Sequence, residues 1–387
     1  MSFEVEIERI LPGGYGLAHA EGHTIFVSLA APGDRLRVRV ERQQGNMLFA
    51  SIEEILTPSP DRIEPPCPYF GRCGGCDFQQ LTYEKQLAAK AEIIRDCLQR
   101  IARIETVPEI FVTPSPRDWR YRMRAMWQID EEQHTIGYYE RGSRRVCDVV
   151  ECAVLVPELQ QTLERVRATD WHEFPPRLKH LDVVSGEHGV SLAPPFAEFE
   201  TVELSLTIGD ESYSYNAEAF FQINAGLLPP LLEFALRDVS GEVAIDLYCG
   251  VGLFTLPLSR RFKQVIAVES NPNATRFARR NLQQAQLGNA RVINARVADW
   301  IRSSAARSKS VDFVLLDPPR AGAESVVIKQ LIEFRAARIC YVSCDPATLA
   351  RDLRKLIAGG YVIESLGAFD LFPQTHHVET VVRLNLG

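Results

Sequence analysis

The sequence lacks the features that mark a membrane protein or a secreted one. No apolar run reaches the roughly 18–20 residues that a membrane-spanning helix needs. Residues Met1 to Glu6 contain neither the basic nor the apolar region of a signal peptide. Low-complexity tracts are also missing, and a composition of 46% hydrophobic and 24% charged residues is typical of a soluble globular protein. We therefore expect a cytoplasmic protein with no membrane partner.

Positive charge is also scarce, since the formal net charge is −7. That balance gives no general attraction for the phosphates of a nucleic acid, although a local basic stripe can still provide one. Arginine alternates with aromatic residues between Arg117 and Trp127, where guanidinium groups suit phosphates and rings suit bases. We expect Arg122 and Arg124 of this stripe to contact RNA. An edge strand with a solvated arginine face would show the same pattern.

The length of 387 residues indicates about two or three domains. Residues 1–57 have the short strands and glycine turns of a small β-barrel. Their segments Gly14 to Ala18, Ile25 to Val27 and Ala31 to Asp34 resemble a TRAM domain, an oligonucleotide-binding-like barrel found on RNA-modifying enzymes. Residues 58–80 form a proline-rich linker and a cysteine-rich loop.

The remaining chain divides into a helix, a β-rich part and an α/β part. Residues 81–106 are predicted to form a helix that packs on the C-terminal domain, and residues 107–215 a mostly β central RNA-binding domain. Residues 216–387 alternate apolar strands with helices, which predicts a doubly wound, Rossmann-like sheet. The predicted strands are Val243–Leu247, Gln264–Val268, Phe313–Leu316 and Ile339–Val342.

A glycine-rich turn after the first of these strands predicts a cofactor site. Gly250 and Gly252 let the backbone approach a ligand, and Glu269 ends the next strand, where it can accept hydrogen bonds from ribose hydroxyls. Asp317 opens the sequence Asp-Pro-Pro-Arg at the end of the Phe313–Leu316 strand. A dinucleotide site has a similar layout, but Gly-x-Gly preceded by aspartate and lacking a third glycine favours S-adenosylmethionine.

Cys344 is a candidate nucleophile, because a thiol at the carboxyl end of a parallel strand faces the ligand crevice. A following helix N-terminus favours the thiolate. Glu379 begins a strand on the same side. Addition of a thiolate to C6 of uracil makes C5 nucleophilic toward a methyl sulfonium, and a base must then remove the C5 proton. We assign the first role to Cys344 and the second to Glu379.

Five motifs in the same order resemble the RNA uracil-C5 methyltransferase family: Phe220 to Asn224, Asp246 to Gly252, Asp317 to Arg320, Ser343 to Thr348, and His377 to Glu379. The resemblance covers nearly all of the chain and is strongest to the bacterial 23S ribosomal RNA 5-methyluridine enzymes. It implies that Phe220 packs near the target base. It also implies contacts to the methyl donor from Gln222, Tyr248, Glu269 and Asp317. Asp345 and Leu253 depart from the family, which often has asparagine at the first position and sometimes a polar residue at the second.

Cys67, Cys73 and Cys76 lie close together in one loop, which indicates a metal centre, since a reducing cytosol disfavours disulfides. A fourth ligand is expected from Cys147 or Cys152, and four cysteines fit either zinc or a [4Fe–4S] cluster. The family resemblance implies Cys152 and the iron–sulfur cluster. Closure by a fourth ligand favours a structural or RNA-positioning role over redox chemistry.

The expected function is methylation of C5 of a uridine, with 23S ribosomal RNA as the expected substrate and a monomer as the expected state. The target base must flip out, because a stacked base cannot meet a thiol and a sulfonium on opposite faces. Three alternatives are a transfer RNA uridine methyltransferase, an RNA cytosine-C5 methyltransferase, and a non-catalytic RNA-binding or ribosome-assembly protein. Cytosine enzymes usually have Thr-Cys or Pro-Cys and a second active-site cysteine, whereas this chain has Ser343-Cys344.

Overall fold

The N-terminal residues form a closed barrel in the computed structural model, which describes residues 1–303 and 310–387. Its sheet has the order β1-β5-β6-β4-β3-β2. Only Ile7 and Glu8 separate β1 from β2, and the Glu8 amide donates to the Leu17 carbonyl at 2.9 Å, so the two edges belong to one bent strand. The strands are β1 (Ser2–Glu6), β2 (Arg9–Ile10), β3 (Tyr15–Ala20), β4 (His23–Ser28), β5 (Arg35–Gln44) and β6 (Met47–Thr57).

The helix predicted after the cysteine-rich loop is shorter than expected. The strand that follows it belongs to the C-terminal sheet and not to the central domain. Helix α1 covers Tyr83–Arg100, against the predicted 81–106, and packs Ile94 and Leu98 into the core of the C-terminal domain. Strand β7 (Ile110–Thr113) falls within the predicted central domain. It pairs instead with the edge of the C-terminal sheet, because four extended residues take their partner from tertiary contacts and not from local sequence.

The central region contains a five-stranded sheet, ordered β10-β9-β8-β11-β12, and a separate hairpin of β13 and β14. Helix α2 (Pro157–Ala168) covers the sheet, burying Leu159 and Leu163 against Trp127. The hairpin packs on the C-terminal domain, where Asn281 and Ser214 exchange two hydrogen bonds. The strands are β8 (Arg124–Asp130), β9 (Thr135–Tyr139), β10 (Val146–Asp148), β11 (His180–Gly186), β12 (Gly189–Ala193), β13 (Leu204–Ile208) and β14 (Glu211–Tyr215).

The C-terminal domain is built on an eight-stranded sheet, ordered β17-β16-β15-β18-β19-β21-β20-β7. Its strands are β15 (Gly241–Leu247), β16 (Phe262–Glu269), β17 (Ala290–Asn294), β18 (Phe313–Leu316), β19 (Arg338–Ser343), β20 (Tyr361–Phe369) and β21 (Glu379–Leu386). The helices are α3 (Leu228–Ala235), α4 (Thr255–Ser259), α5 (Pro272–Gln284), α6 (Val297–Trp300), α7 (Ser325–Phe334) and α8 (Pro346–Ala358). The strands predicted in this region are present, and the doubly wound sheet is confirmed.

The sheet reverses its order beside the first strand, which places the ligand crevice. Strands β16 and β18 flank β15 and run parallel to it, so their carboxyl ends open together. Strand β21 is antiparallel between β19 and β20, and its first residue therefore lies at the same edge. Among the residues that the structure describes, no helix is both long and apolar enough to cross a membrane.

A buried ion pair joins α1 to the segment before β21, and breaking it is expected to destabilise the protein. Lys90 and Asp370 form the pair with side chains 1% exposed, and Lys90 Nζ also donates to the Phe372 carbonyl at 3.0 Å. Replacing Asp370 by Leu leaves an uncompensated buried ammonium, at a cost of about 3–5 kcal/mol. We expect a lower midpoint of thermal unfolding, and recovery of much of the loss in a Lys90→Met, Asp370→Leu double variant. An unchanged midpoint in Asp370→Leu would contradict this prediction.

Candidate active site

Cys344 and Glu379 meet at the carboxyl edge of the sheet. Strand β19 ends at Ser343, which pairs with Thr380, so the thiol that follows β19 lies beside the carboxylate that opens β21. Burial, followed by the charge of Glu379, raises the pKa of Cys344 to about 12. The thiol is therefore protonated at neutral pH and has to lose its proton before it can act as a nucleophile.

The local sequence fixes where Cys344 points. Asp345 caps helix α8 through its Oδ1, which accepts from the Thr348 amide at 2.8 Å, and Pro346 occupies the first helical turn. Ser343 Oγ donates to the Asp345 carbonyl at 3.1 Å, which tightens the turn around the thiol. Aspartate at 345 thus performs the capping that asparagine would also perform, so this departure from the family leaves the turn intact.

Glu379 is a carboxyl group in an unusual environment. Its side chain is 3% exposed, and its Oε1 has no hydrogen-bond partner within residues 1–303 and 310–387. Burial and the neighbouring Asp317 raise the pKa of Glu379 well above its usual value, while the charge of Arg320 opposes them. A carboxylate with a raised pKa is a stronger base once ionised, which suits removal of a proton from carbon.

Arg320 is a cation at this site for which the sequence alone predicted no role. Its guanidinium lies near both Cys344 and Glu379, and acts to lower the pKa of each against the effect of burial. The loop that follows β18 carries it only three positions after Asp317. The sequence feature that could have indicated its role is its place at the end of the Asp-Pro-Pro-Arg motif, which begins with the expected cofactor residue Asp317.

The turn after β15 has the backbone geometry of a glycine-rich turn. Gly250 has a left-handed φ of +54°, and a Cβ there would project into open space. Its amide donates to Glu269 Oε2 at 3.2 Å, while Glu269 Oε1 accepts from the amides of Ser270 and Asn271 at 2.7 Å each. Glu269 is thus fixed at the end of β16, and its remaining acceptor capacity faces the crevice.

Two further residues support this turn. Asp246 is buried, and its Oδ2 accepts from Thr255 Oγ1 at 2.5 Å, which ties the turn to α4. Burial raises the pKa of Asp246 to about 7. Leu253 is buried and its carbonyl accepts from Tyr213 Oη at 3.0 Å, so the chain uses this departure from the family as a core position.

Gln222 and Asp317, both expected to contact the methyl donor, lie in contact with each other. Gln222 Nε2 donates to Asp317 Oδ2 at 3.4 Å, and burial raises the pKa of Asp317 to about 7. Tyr248 also lies at the crevice, but its hydroxyl donates to Glu324 Oε2 at 2.6 Å, which leaves the ring face for a ligand. Phe220 is 59% exposed on the same loop as Gln222. An exposed ring on this loop is available to stack on a base.

The two arginines expected to bind RNA, Arg122 and Arg124, both make contacts within the protein. Arg124 donates to the carbonyls of Ala217 and Ala219 at 2.9 Å each, so its guanidinium holds the loop that carries Phe220. Arg122 faces inward and lines a cavity beside Cys76 and Cys152. Direct RNA contacts from this pair stay a prediction, and alternation of arginine and aromatic residues does not say which side chains face outward.

Four thiols line that cavity: Cys67, Cys73, Cys76 and Cys152. Burial raises the pKa of Cys73 to about 11 and that of Cys76 to about 12, and neighbouring thiols add to both shifts. Cys147 is buried nearby, where its Sγ accepts from Arg72 Nε at 3.2 Å. Across the part of the chain that the structure describes, no three His, Cys, Asp or Glu side chains surround a position for a single metal ion.

Comparisons with known proteins show the family of this chain. A family model, tRNA (Uracil-5-)-methyltransferase, matches residues 196–386. A 23S rRNA (uracil(1939)-C(5))-methyltransferase RlmD of Pseudomonas putida is 33% identical, over 99% of this chain and 93% of its own length. The chain belongs to the RNA uracil-C5 methyltransferase family. The methyltransferase of the same name from Vibrio parahaemolyticus is 30% identical, over 97% of this chain and 94% of its own length.

A solved structure shows the same fold for the whole methyltransferase. The tRNA (uracil-54, C5)-methyltransferase of Pyrococcus abyssi, in complex with S-adenosyl-L-homocysteine, is 26% identical with a TM-score of 0.76. The alignment covers 99% of this chain and 100% of that one. S-adenosylmethionine is accordingly the methyl donor of this family member.

Thiol reactivity in the methyltransferase is expected to depend on pH and on Arg320. Alkylation of Cys344 by iodoacetamide should accelerate about tenfold per pH unit between about pH 7 and 9, because the thiolate reacts and its pKa lies far above this range. Arg320→Gln should slow alkylation at each pH, since the cation no longer opposes the raised pKa. Arg354→Gln, exposed on α8, is the matched control. Mass spectrometry of the Cys344 peptide measures the rates, and faster alkylation in Arg320→Gln would contradict the prediction.

Proposed function

We propose that this methyltransferase transfers a methyl group from S-adenosylmethionine to C5 of a uridine in 23S ribosomal RNA. The observation that carries the proposal is the pairing of Cys344 with the buried Glu379 beside Asp317, at the edge of the sheet where the glycine-rich turn lies. Full-length similarity to 23S rRNA enzymes supports the substrate.

In the proposed reaction, the Cys344 thiolate forms a bond to C6 of uracil, and the C5–C6 π electrons move onto the C4 carbonyl as an enolate. C5 then attacks the methyl group, and S-adenosylhomocysteine leaves. Glu379 removes the proton from C5, the enolate forms again, and expulsion of the thiolate restores the C5–C6 double bond. Asp317 and Gln222 border the donor, and Glu269 accepts hydrogen bonds from its ribose.

RNA is proposed to lie across the barrel and the central domain, with the target base beside Phe220. The barrel is proposed to be the TRAM domain. It presents a stacked pair, Phe26 and Phe49, with ring centroids 5.1 Å apart and the Arg42 guanidinium 4.1 Å from the Phe49 ring. Aromatic faces with an adjacent arginine suit unpaired nucleotides. Extrusion of the uridine onto Phe220 would expose C6 to Cys344.

The proposed chemistry is tested with RNA that contains 5-fluorouridine at the target position. Fluorine at C5 cannot leave as a proton, so the methylated adduct should stay bonded to the protein through denaturing electrophoresis. A Cys344→Ala variant should form no such complex. Tight RNA binding without any adduct in the wild-type protein would overturn the proposal and favour the non-catalytic binding protein.

We also propose that Cys67, Cys73, Cys76 and Cys152 hold a [4Fe–4S] cluster. Two observations support the fit: the four thiols line one cavity, and Arg122 Nε in its wall is buried without a partner among residues 1–303 and 310–387. An unpaired guanidinium donor suits a group of net negative charge. Fully ligated by four cysteines, the cluster would supply cross-links between the loop and the central domain rather than redox chemistry.

Anaerobically purified protein is expected to contain about four iron atoms and four sulfides per chain. Cys152→Ser should lose most of the iron, because the fourth thiolate is missing. Cys147→Ser is the matched control and should keep its iron, since the Cys147 sulfur accepts a hydrogen bond from Arg72 instead. Iron and sulfide analysis with visible absorption provides the measurement. Stoichiometric zinc, or loss of iron only in Cys147→Ser, would contradict the assignment.

A transfer RNA uridine is the second candidate substrate, because the Pyrococcus abyssi enzyme that matches the whole chain acts on uracil-54 of tRNA. Mapping 5-methyluridine in ribosomal and transfer RNA from a deletion strain separates the two. Loss of the modification from 23S RNA alone supports the first proposal, and loss from transfer RNA alone supports the second.

A further inference from the structure

The segment that presents Glu379 is fixed from outside its own domain. Gln374, within this segment, is 2% exposed and has a left-handed φ of +67°, which a non-glycine residue adopts only under tertiary restraint. Gln86 of α1 supplies part of that restraint, since its amide exchanges hydrogen bonds of 2.9 Å with the Gln374 amide and side chain. Tyr121 Oη donates to the Pro373 carbonyl at 2.8 Å.

The cysteine loop supplies a second restraint on the segment 370–378, which leads into Glu379 and is called the base segment below. This restraint lies nearer to Glu379 than the first. Asp77 follows Cys76 directly, and its Oδ1 accepts from the His376 amide at 2.7 Å. Its Oδ2 pairs with His376 Nδ1 at 2.5 Å. The amides of Asp77 and Phe78 both donate to the Gln374 carbonyl at 3.0 Å. Two residues of the cysteine loop thus hold the base segment through four contacts, and Asp77 holds it three residues before Glu379.

The position of Glu379 depends on these contacts because its own side chain is weakly anchored. Its Oε1 makes no hydrogen bond within the described ranges 1–303 and 310–387. Because this oxygen has no hydrogen bond to hold it, the position of the carboxyl group is set mainly by the backbone of Glu379. Strand pairing fixes the backbone of Glu379, opposite Phe369, and of the residues after it, while the His376 contact fixes the chain that leads into the strand.

We infer that Asp77 is a positioning residue for Glu379, and that the cysteine loop thereby sets the rate of proton removal at C5. The inference rests on the proposed function. Cys344 lies on a separate turn, whose hydrogen bonds run within 343–348 and to Arg320. Loss of the Asp77 contact should therefore spare the steps before proton removal: addition of the thiolate to C6 and methyl transfer to C5. It should slow only the abstraction of the C5 proton and the expulsion of the thiolate that follows.

The test uses the full-length protein with its metal centre intact, RNA carrying tritium at C5 of the target uridine, and methyl-labelled S-adenosylmethionine in a single turnover. In Asp77→Ala, tritium release should slow by roughly 10–100-fold, the scale expected for a displacement of about 1 Å in a reacting group. A methyl-labelled, denaturant-stable complex with RNA should accumulate at the wild-type rate. The KM for RNA should stay unchanged.

Asp61→Ala is the matched control, since Asp61 joins the same part of the chain to α1 through Lys85 at 3.1 Å without contacting the base segment. It should behave as the wild type. Equal slowing of adduct formation and tritium release in Asp77→Ala, or wild-type rates for both, would overturn the inference.

If Asp77→Ala fails to fold, His376→Ala removes the side-chain contact between His376 Nδ1 and Asp77 Oδ2 but keeps the backbone hydrogen bond to Asp77 Oδ1, so it should accumulate the adduct to a smaller extent. If Asp77→Ala folds, adding His376→Ala to it should cause no further loss, because the side-chain contact is already absent. A wild-type protein that forms no adduct refutes the proposed function itself. A normal wild-type adduct with normal turnover in both single variants refutes only the role of Asp77.

Discussion

Replacement of Cys344 by alanine is expected to abolish methylation, with a loss on the order of 10⁴–10⁶-fold, as for other enzymes deprived of their covalent nucleophile. Without the sulfur–C6 bond, C5 of uracil carries too little electron density to attack the sulfonium. Binding of RNA and of the methyl donor should persist, because the turn at Gly250 and Glu269 does not involve the thiol. Transfer of labelled methyl groups under single-turnover conditions provides the measurement.

Cys340→Ala is the control for that experiment. Cys340 lies on the same strand, β19, but is fully buried within the domain core, so it has no access to the base. Its replacement should lower stability slightly and leave methyl transfer intact. A Cys344→Ala protein that retains turnover near that of Cys340→Ala would eliminate covalent catalysis by this thiol.

Replacement of Glu379 by glutamine is expected to stop the reaction after methyl transfer, with the RNA still bonded to Cys344. Glutamine preserves the size of the side chain but cannot accept the proton from C5. Turnover should fall about 10²–10⁴-fold, the usual contribution of a general base, while an adduct with ordinary uridine RNA accumulates. Denaturing electrophoresis with methyl-labelled donor detects the adduct.

Glu242→Gln serves as the matched substitution, because Glu242 forms an exposed ion pair with Lys263 away from the crevice. It should show neither the trapped adduct nor the loss of turnover. If Glu379→Gln releases product as fast as this control, another group removes the C5 proton, and the assignment of Glu379 is wrong. The two catalytic variants together separate bond formation to C6 from proton removal at C5.

Local sequence predicted the elements that local physics controls. Apolar runs such as Phe313–Leu316 became buried parallel strands, and the motif residues that end them came together at one edge because parallel strands align their carboxyl ends. The same patterns failed where long-range pairing decides. Strand β7 is half-exposed and short, and only the edge of β20 assigns it to the large sheet. Arg122 lay in an alternating stripe, but packing turned it toward the cysteines.

By itself, then, the order of residues determined the α/β domain and the family, and it predicted Cys344 and Glu379 as nucleophile and base. Only the tertiary structure decided that Arg320 lies near enough to Cys344 and Glu379 to lower the pKa of each, and that Asp77 contacts His376 across 299 positions of chain. The physical reason is that periodicity and turn chemistry act over a few neighbouring residues. Burial, charge proximity and hydrogen bonds between distant loops exist only once the whole chain has packed.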